Sequence, residues 1–329
     1  MELNLKLNSF EGIADNSAAV PVSSDTVYET LIIGGGPAAM TAAVYLMRKG
    51  INTALVTDNF GGQVVETSGI ENYMGYRYIE GAELALKFRE QLQKFRIALK
   101  DKTRVLKIIN DVPFAAVLSD ETIVKAQTII IASGKTWKKL DIPGEKEFTG
   151  RGVAYCTICD APLFRDRNVV VVGGGNSGVE SAIDLAKIAF HVTVVQNLSH
   201  LTADRMLIDA MMNYTNISII PDSVVTEVRG QGKVESVSIR SLEDGGERDI
   251  PADGVFIAVG LVPNSAFAAG VVTCSRSGEI EIDSRCATSV RGIFAAGDVT
   301  TVPFKQIIIA AGEGAKAALS AHGYLFKTG

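Results

Sequence analysis

The sequence is poor in the residues that metal, nucleic-acid and membrane chemistry require. It has three histidines in 329 residues, and His191, His200 and His322 share no ligand spacing with any cysteine. A zinc site wants four such groups, so no metal is expected. Cysteine is equally sparse at four, too few for the disulfide framework of a small secreted domain. Positive charge is in deficit, with 32 lysines and arginines against 37 acids and a formal net charge of −5. The longest basic stretch, Lys135 to Lys139, is a brief solvated rim, so no nucleic-acid partner is expected. No window offers the roughly 18 apolar residues of a membrane span. Residues Met1 to Val27 have no basic start followed by an apolar stretch, which leaves the cytoplasm as the expected compartment.

Glycine, by contrast, is plentiful at 32 residues, and much of it falls in two dense clusters. The chain is otherwise ordinary, 47% apolar and 21% charged, and long enough for two domains. Leu3 to Leu7 alternates apolar and polar residues and predicts a short edge strand. Residues 1–27 otherwise read as a tail. Regular structure is expected from Tyr28, with a strand to Ile33, the turn Gly34-Gly35-Gly36-Pro37-Ala38-Ala39, a helix to Lys49 closed by Gly50, and a strand Thr53 to Val56. The same order returns later. A valine strand, Asn168 to Val172, leads into Gly173-Gly174-Gly175-Asn176-Ser177-Gly178, a helix from Val179 to Ile188, and a strand Val192 to Val195.

These patterns predict an α/β fold of two Rossmann-like three-layer dinucleotide-binding domains, the second inserted into the first. Further strands are expected at Thr128 to Ser133, Asp253 to Gly260 and Gly292 to Ala296, with a small-residue helix from Ile307 to Ser320. The chain is expected to cross between domains near Pro143 to Phe148 and Val262 to Ala269. That assigns residues 28–145 and 269–329 to one domain and 146–268 to the other.

Each glycine loop has a physical reading. The first glycine allows a tight turn, the second lets backbone approach a pyrophosphate, and the third position must be small for helix and strand to pack. The phosphates then meet the free N–H groups of a helix start. Gly34, Gly36 and Ala39, beside Pro37, fill these positions in the first loop. Gly173, Gly175 and Gly178, with Asn176 and Ser177, fill them in the second. The first site is assigned to FAD on its companions. Gly61-Gly62-Gln63 can bring backbone to a flavin ring, Ala132-Ser133-Gly134 ends a strand in a turn, and Asp298 after Gly297 can accept from the ribityl chain. The second site is assigned to a nicotinamide nucleotide. Where NAD expects an acid and NADP an arginine cluster, the sequence offers Gln196 and then Asn197. NADH is therefore favoured over NADPH.

Cys156-Thr157-Ile158-Cys159 is a C-x-x-C, which serves as a redox dithiol, as half of a zinc site, or occurs by accident. Asp160 beside it favours the dithiol, because a carboxylate can move the proton that disulfide exchange requires. Cys274 and Cys286 read as semi-buried small side chains.

The run Val153-Ala154-Tyr155-Cys156-Thr157-Ile158-Cys159-Asp160, just ahead of the second glycine loop, resembles the low-molecular-weight thioredoxin reductases, and in particular the thioredoxin-reductase-like part of the flavoprotein subunit of alkyl hydroperoxide reductases. Gly61-Gly62-Gln63, Ile70-Glu71-Asn72-Tyr73, Phe294 to Asp298 and Thr301 to Gly314 extend the likeness over residues 28–326. The resemblance implies an FAD-dependent disulfide reductase, a homodimer whose domains rotate between two arrangements. It implies that Cys159 lies nearer the flavin, that Cys156 attacks the partner, and that Asp160 is the acid–base group. Gln63, Asn72 and Gln306 would join the FAD site. Two departures stand out. The N-terminal thioredoxin-like module of the peroxide-reducing subunit has no counterpart in this sequence, so a separate thioredoxin- or glutaredoxin-like protein is the expected acceptor. The basic NADPH motif of thioredoxin reductases is also missing. Alternatives are the same scaffold fed by ferredoxin or another non-nicotinamide donor, and a redox-sensing flavoprotein without turnover.

Overall fold

The computed structural model describes residues 19–67 and 70–328; the alternating Leu3 to Leu7 segment lies outside them. The first unit is built on a sheet of β1 (Val20–Pro21), β2 (Val27–Ile33), β3 (Thr53–Val56), β4 (Ala98–Lys100), β5 (Val105–Ile109), β6 (Phe114–Leu118) and β7 (Ile123–Ile131). Their order is β1-β4-β3-β2-β7-β6-β5. Helices α1 (Pro37–Arg48) and α2 (Gly81–Leu92) belong to the same unit. β2 is parallel to both β3 and β7, so its side chains are covered on both faces. Leu31 and Ile32 are 0% exposed, and each such side chain contributes roughly 1.5–3 kcal/mol.

A two-stranded antiparallel ribbon, β8 (Lys135–Trp137) with its later partner, connects this unit to the next. Beyond it come the short helix α3 (Glu145–Phe148), β9 (Val153–Ala154), the single turn α4 (Thr157–Asp160), β10 (Asn168–Val172), α5 (Asn176–Ala186), β11 (His191–Val195), α6 (Arg205–Met211) and β12 (Ile217–Ile220). A three-stranded antiparallel sheet follows, β13 (Ser223–Gly230), β14 (Val234–Ser241) and β15 (Glu247–Pro251). β16 (Gly254–Ile257) completes a parallel sheet ordered β12-β11-β10-β16-β9, and β17 (Leu261–Pro263) returns through the ribbon. The chain then rejoins the first sheet through β18 (Ile293–Ala295), parallel to β7, and ends in α7 (Ile307–Thr328). The second unit is therefore an insertion into the first, as the repeated glycine grammar predicts.

Small residues bring α1 and α7 together. Ala38, Ala39, Ala42 and Ala43 share a buried cluster with Ala310, Ala317, Ala318 and Ala321. A Cβ on Gly314 would overlap the Ala38 carbonyl. Some elements differ from the expected bounds. The strand expected at Thr128 starts at Ile123, and α7 runs past Ser320, through Gly323, to Thr328. Packing against α1 outweighs the roughly 1 kcal/mol that an interior glycine costs. The helix expected from Val179 begins at Asn176, because Gly175 already serves as its cap. The antiparallel sheet at 223–251 is not foreshadowed by any motif in the sequence. No helix among the described residues is long and apolar enough to cross a membrane.

Candidate active site

The first glycine loop opens onto a cavity of about 610 Å³ whose wall includes Gly34, Gly36, Pro37, Gly62, Gln63, Ala132, Gly134, Gly297, Asp298 and Gln306. Gly34 sits at φ +129, and a Cβ there would overlap the Ala132 carbonyl. Gly36 faces open space and caps α1 without any side-chain hydrogen bond. The first turn of a twelve-residue helix is thus presented to the cavity with bare backbone, which is what a pyrophosphate needs. The residues therefore fit a dinucleotide, and the volume lies in the range of small-molecule sites. Three expected residues stand outside this wall. Ala39 is buried in the α1–α7 packing. Gly61 donates its N–H to the Gly35 carbonyl at 2.8 Å. Asn72 donates to Gln306 Oε1 at 3.1 Å and so acts through a residue that does border the cavity.

The second loop borders a cavity of about 520 Å³ lined by Gly173, Gly175, Asn176, Ser177 and Gln196. Gly178 stands behind it, where a Cβ would overlap the Gly173 carbonyl, so its smallness serves helix–strand packing. Gln196 is 4% exposed. Its Oε1 accepts from Gly174 N–H at 3.1 Å and its Nε2 donates to the His200 carbonyl at 3.1 Å. The amide thus ties the loop after β11 to the glycine turn. Asn176 exchanges two hydrogen bonds with Asp204. Leu140, Val172, Val195, Asn197, Leu198, Thr202, Ser223, Val224, Val225 and Ala258 to Gly260 complete the wall, so among the described residues it carries no ionisable side chain.

Cys156 and Cys159 form a disulfide with Cα atoms 5.3 Å apart. They border the first cavity together with Asp160. α4 holds the pair in one helical turn, with the N–H groups of Cys159 and Asp160 both donating to the Cys156 carbonyl. Thr157 donates to Ser181 of α5 at 2.7 Å, which ties that turn to the helix of the second loop. Asp160, the residue after Cys159 in α4, is 6% exposed, a sheltered carboxylic residue in the same wall as the two cysteines.

Charges that no sequence motif singles out gather at the same cavity. Glu279 Oε1 lies 2.6 Å from Lys135 Nζ and 3.3 Å from Lys305 Nζ, and both lysines border the cavity. Burial alone would raise the Glu279 carboxyl, but Lys135 and Lys305 hold it below the usual range. Burial pushes Lys305 down, and the neighbouring charge of Lys135 adds to this. Asp298 is pushed up by burial, an effect the two lysines partly offset. Lys305 precedes Gln306, already singled out, but nothing local in the sequence brings residues 135, 279 and 305 together. Among the described residues no cluster of histidine, cysteine and acid is placed to hold a metal.

Two nucleotide folds joined by a ribbon, with a cysteine disulfide facing the cavity of the first loop, define a two-nucleotide oxidoreductase of the disulfide-carrying kind. Residues 28–314 match the family described as pyridine nucleotide-disulphide oxidoreductase. The chain is 43% identical over 320 residues to a subunit of alkyl hydroperoxide reductase from Escherichia coli K12, covering 96% of this chain and 61% of that protein. It thus spans about three fifths of the length of that relative. Among solved structures, thioredoxin reductase from Streptococcus pyogenes MGAS5005 superposes with a TM-score of 0.87 at 40% identity, covering 92% of this chain and 99% of the other. Lactococcus lactis thioredoxin reductase in its FR conformation gives a TM-score of 0.63 at 36% identity, covering 91% and 99%. The chain belongs to the pyridine nucleotide-disulphide oxidoreductase family. It is a thioredoxin-reductase-like, flavin-dependent oxidoreductase, with FAD as its cofactor.

Proposed function

We propose that this chain takes electrons from NADH and delivers them, through FAD and the Cys156–Cys159 disulfide, to a small thioredoxin- or glutaredoxin-like protein. The observation that carries the reading is that the disulfide borders the same cavity as the first glycine loop. When bound, FAD supplies the capacity to accept a hydride from a nicotinamide and to return two electrons to a disulfide.

The chain's own residues do the rest. The loop Gly34 to Pro37, with Gly62, Gln63, Ala132 and Gly134, would hold the cofactor's phosphates and ring, while Asp298 and Gln306 would anchor its chain and far end. Asn72 orients Gln306. Reduction of the Cys156–Cys159 bond takes two electrons and two protons, and Asp160 is the sheltered group that gives and takes a proton at the sulfurs. Cys156 Sγ then attacks the partner's disulfide and forms a mixed disulfide. Cys159 Sγ displaces it, so the internal bond reforms and the partner leaves as a dithiol.

The preference for NADH rests on the second cavity. A 2′-phosphate brings about two negative charges, and no cationic side chain is among the described residues that line that wall; Lys138 approaches one of them, Gly260, by its aliphatic stem. The wall's nearest arginine along the chain, Arg205, is engaged with Asp209 at 2.9 Å. Asn197, exposed on the same wall, offers a neutral hydrogen bond suited to a hydroxyl, whereas Gln196, expected at that place, is buried and already tied to Gly174 and His200. The division into residues 28–145 with 269–329 and residues 146–268, and assembly as a homodimer, form part of the same proposal. Rotation of one unit against the other accords with the TM-scores, because two relatives of 40% and 36% identity, covering 92% and 91% of this chain, superpose so differently, at 0.87 and 0.63.

An anaerobic titration tests the reading. Purified protein should be yellow, and NADH should bleach its flavin band fully at about two equivalents, one consumed by the Cys156–Cys159 disulfide and one by the flavin, while NADPH acts at least roughly tenfold more slowly. With thioredoxin as the probe acceptor, Cys156→Ser should stop transfer. Inertness toward both nucleotides would move the donor to a one-electron carrier such as ferredoxin. Colourless protein that takes up no flavin would end the proposal altogether.

A further inference from the structure

The chain passes from the ribbon into the second unit through residues 138–145, and this passage is organised around one buried carboxylate. Glu145 is 3% exposed and accepts backbone N–H bonds from Leu140 at 3.1 Å, Asp141 at 2.7 Å and Ile142 at 3.5 Å. Asp141 stands at φ +54, a left-handed conformation that lets successive N–H groups converge on one anion. The remaining donor is Tyr155 Oη, 2.7 Å from Glu145 Oε1, on the residue next to Cys156. The other side of Tyr155 is held as well. Its ring lies on that of Trp137, with centroids 6.0 Å apart and planes 26° from parallel. Trp137 ends β8 of the ribbon, opposite Leu261.

The two contacts act at different places. The bond to Glu145, the first residue of α3 and the last before the proposed boundary, is made beyond the ribbon, where Phe148 of the same helix packs with the core of the second sheet, whereas the stack on Trp137 reaches back to the ribbon itself. Turning the second unit about the ribbon leaves the first contact intact and must slide or part the second. Tyr155 and Trp137 both border the cavity that Cys156 and Cys159 face. A side chain one peptide bond from Cys156, gripped at hydroxyl and ring, determines where Cys156 stands.

We propose that Tyr155 is a positioning residue: stacked on Trp137, it holds the Cys156–Cys159 turn against the cavity, and parting of that stack frees Cys156 for an external disulfide. The inference rests on the proposed function, in which Cys156 is the sulfur that meets the partner. Its test does not require the flavin or the nucleotide. The whole protein is reduced with dithiothreitol, freed of reductant and exposed to iodoacetamide, and labelling at Cys156 is followed by peptide mass. Tyr155→Leu and Trp137→Leu should each raise the labelling rate roughly three- to tenfold, the range set by the worth of an aromatic pair. The double variant should add nothing further, and Tyr155→Phe, which keeps the ring, should restore the slow rate. The chain has one tryptophan, so its emission reports directly whether the stack is lost in Tyr155→Leu. A native labelling rate in Tyr155→Leu whose tryptophan emission has shifted would overturn the proposal, as would a double variant whose effect is the product of the two singles. Should Tyr155→Leu not fold, Trp137→Leu decides alone, a native rate counting against the idea. Failure of the functional reading shows elsewhere, as native protein in which NADH generates no Cys156 thiol.

Discussion

The two glycine loops are nearly the same object in different surroundings. Gly36 caps α1 at φ −81 and ψ −176, and Gly175 caps α5 at φ −83 and ψ −177. Gly34 and Gly173 both lie at positive φ, +129 and +114, and both donate to the end of the neighbouring strand at 2.9 Å. What separates the sites is the rest of their walls. The first meets a disulfide, a half-buried Asp298 and two lysines drawn together by Glu279, while the second meets only neutral side chains among the described residues. Backbone makes each a nucleotide site, and side chains arriving from far along the sequence decide which nucleotide and what chemistry.

If the loops are equivalent in construction and distinct in use, damaging them should have separable effects. Gly34→Val adds a β-branched side chain at positive φ, against the Ala132 carbonyl. It should weaken FAD binding by at least about a hundredfold, measured by flavin retained on dilution. Gly173→Val, whose Cβ would stand 2.7 Å from the Ala258 carbonyl, should leave the flavin bound and raise the KM for NADH instead. Loss of flavin from both variants would collapse the distinction.

A smaller change should shift specificity within the second site. Asn197 is exposed and borders that cavity, so Asn197→Arg would place a cation where a 2′-phosphate would lie. The ratio of kcat/KM for NADPH to that for NADH should rise roughly tenfold; an unchanged ratio would mean that this wall is not read by the nucleotide. The smallest expected effect concerns the first unit alone. Burial, and then the bond to Glu313, push the Cys286 thiol up to about 12, whereas an unfolded thiol ionises near about 8.5. The folded protein keeps a proton that the unfolded chain loses, so this contribution is whole below about pH 8.5 and is lost as pH rises toward about 12. Urea unfolding of Cys286→Ala should therefore vary less steeply with alkaline pH than that of the native protein.

Whatever depends on short-range pattern could be read directly from the sequence. The valine run Asn168–Val172 is β10 to the residue, and Thr53–Val56 is β3, because strands covered on both faces leave an unbroken apolar signature. The turn chemistry of Gly34 to Pro37 and of Gly173 to Gly178 was equally plain. The antiparallel sheet at 223–251 was not, since its strands mix polar and apolar residues and carry two register shifts between β13 and β14. The paired ribbon lies at Lys135–Trp137 and Leu261–Pro263, a join of three residues a side that leaves almost no periodicity. Glu145, Tyr155 and Trp137, or Lys135, Glu279 and Lys305, meet only through tertiary folding. Single residues gathered from distant segments have no local pattern to betray them.

The closing position of α7 imposes an order on the birth of the molecule. β18 and the alanine face of α7 belong to the first unit, yet they follow the inserted unit along the chain and leave the ribosome after it. At about 5–20 residues per second, the nascent N-terminal sheet waits many seconds for its missing strand and covering helix while the inserted unit is already complete. Of the two units, the one begun first is thus the one finished second, and its uncovered apolar face is where a chaperone would have work to do.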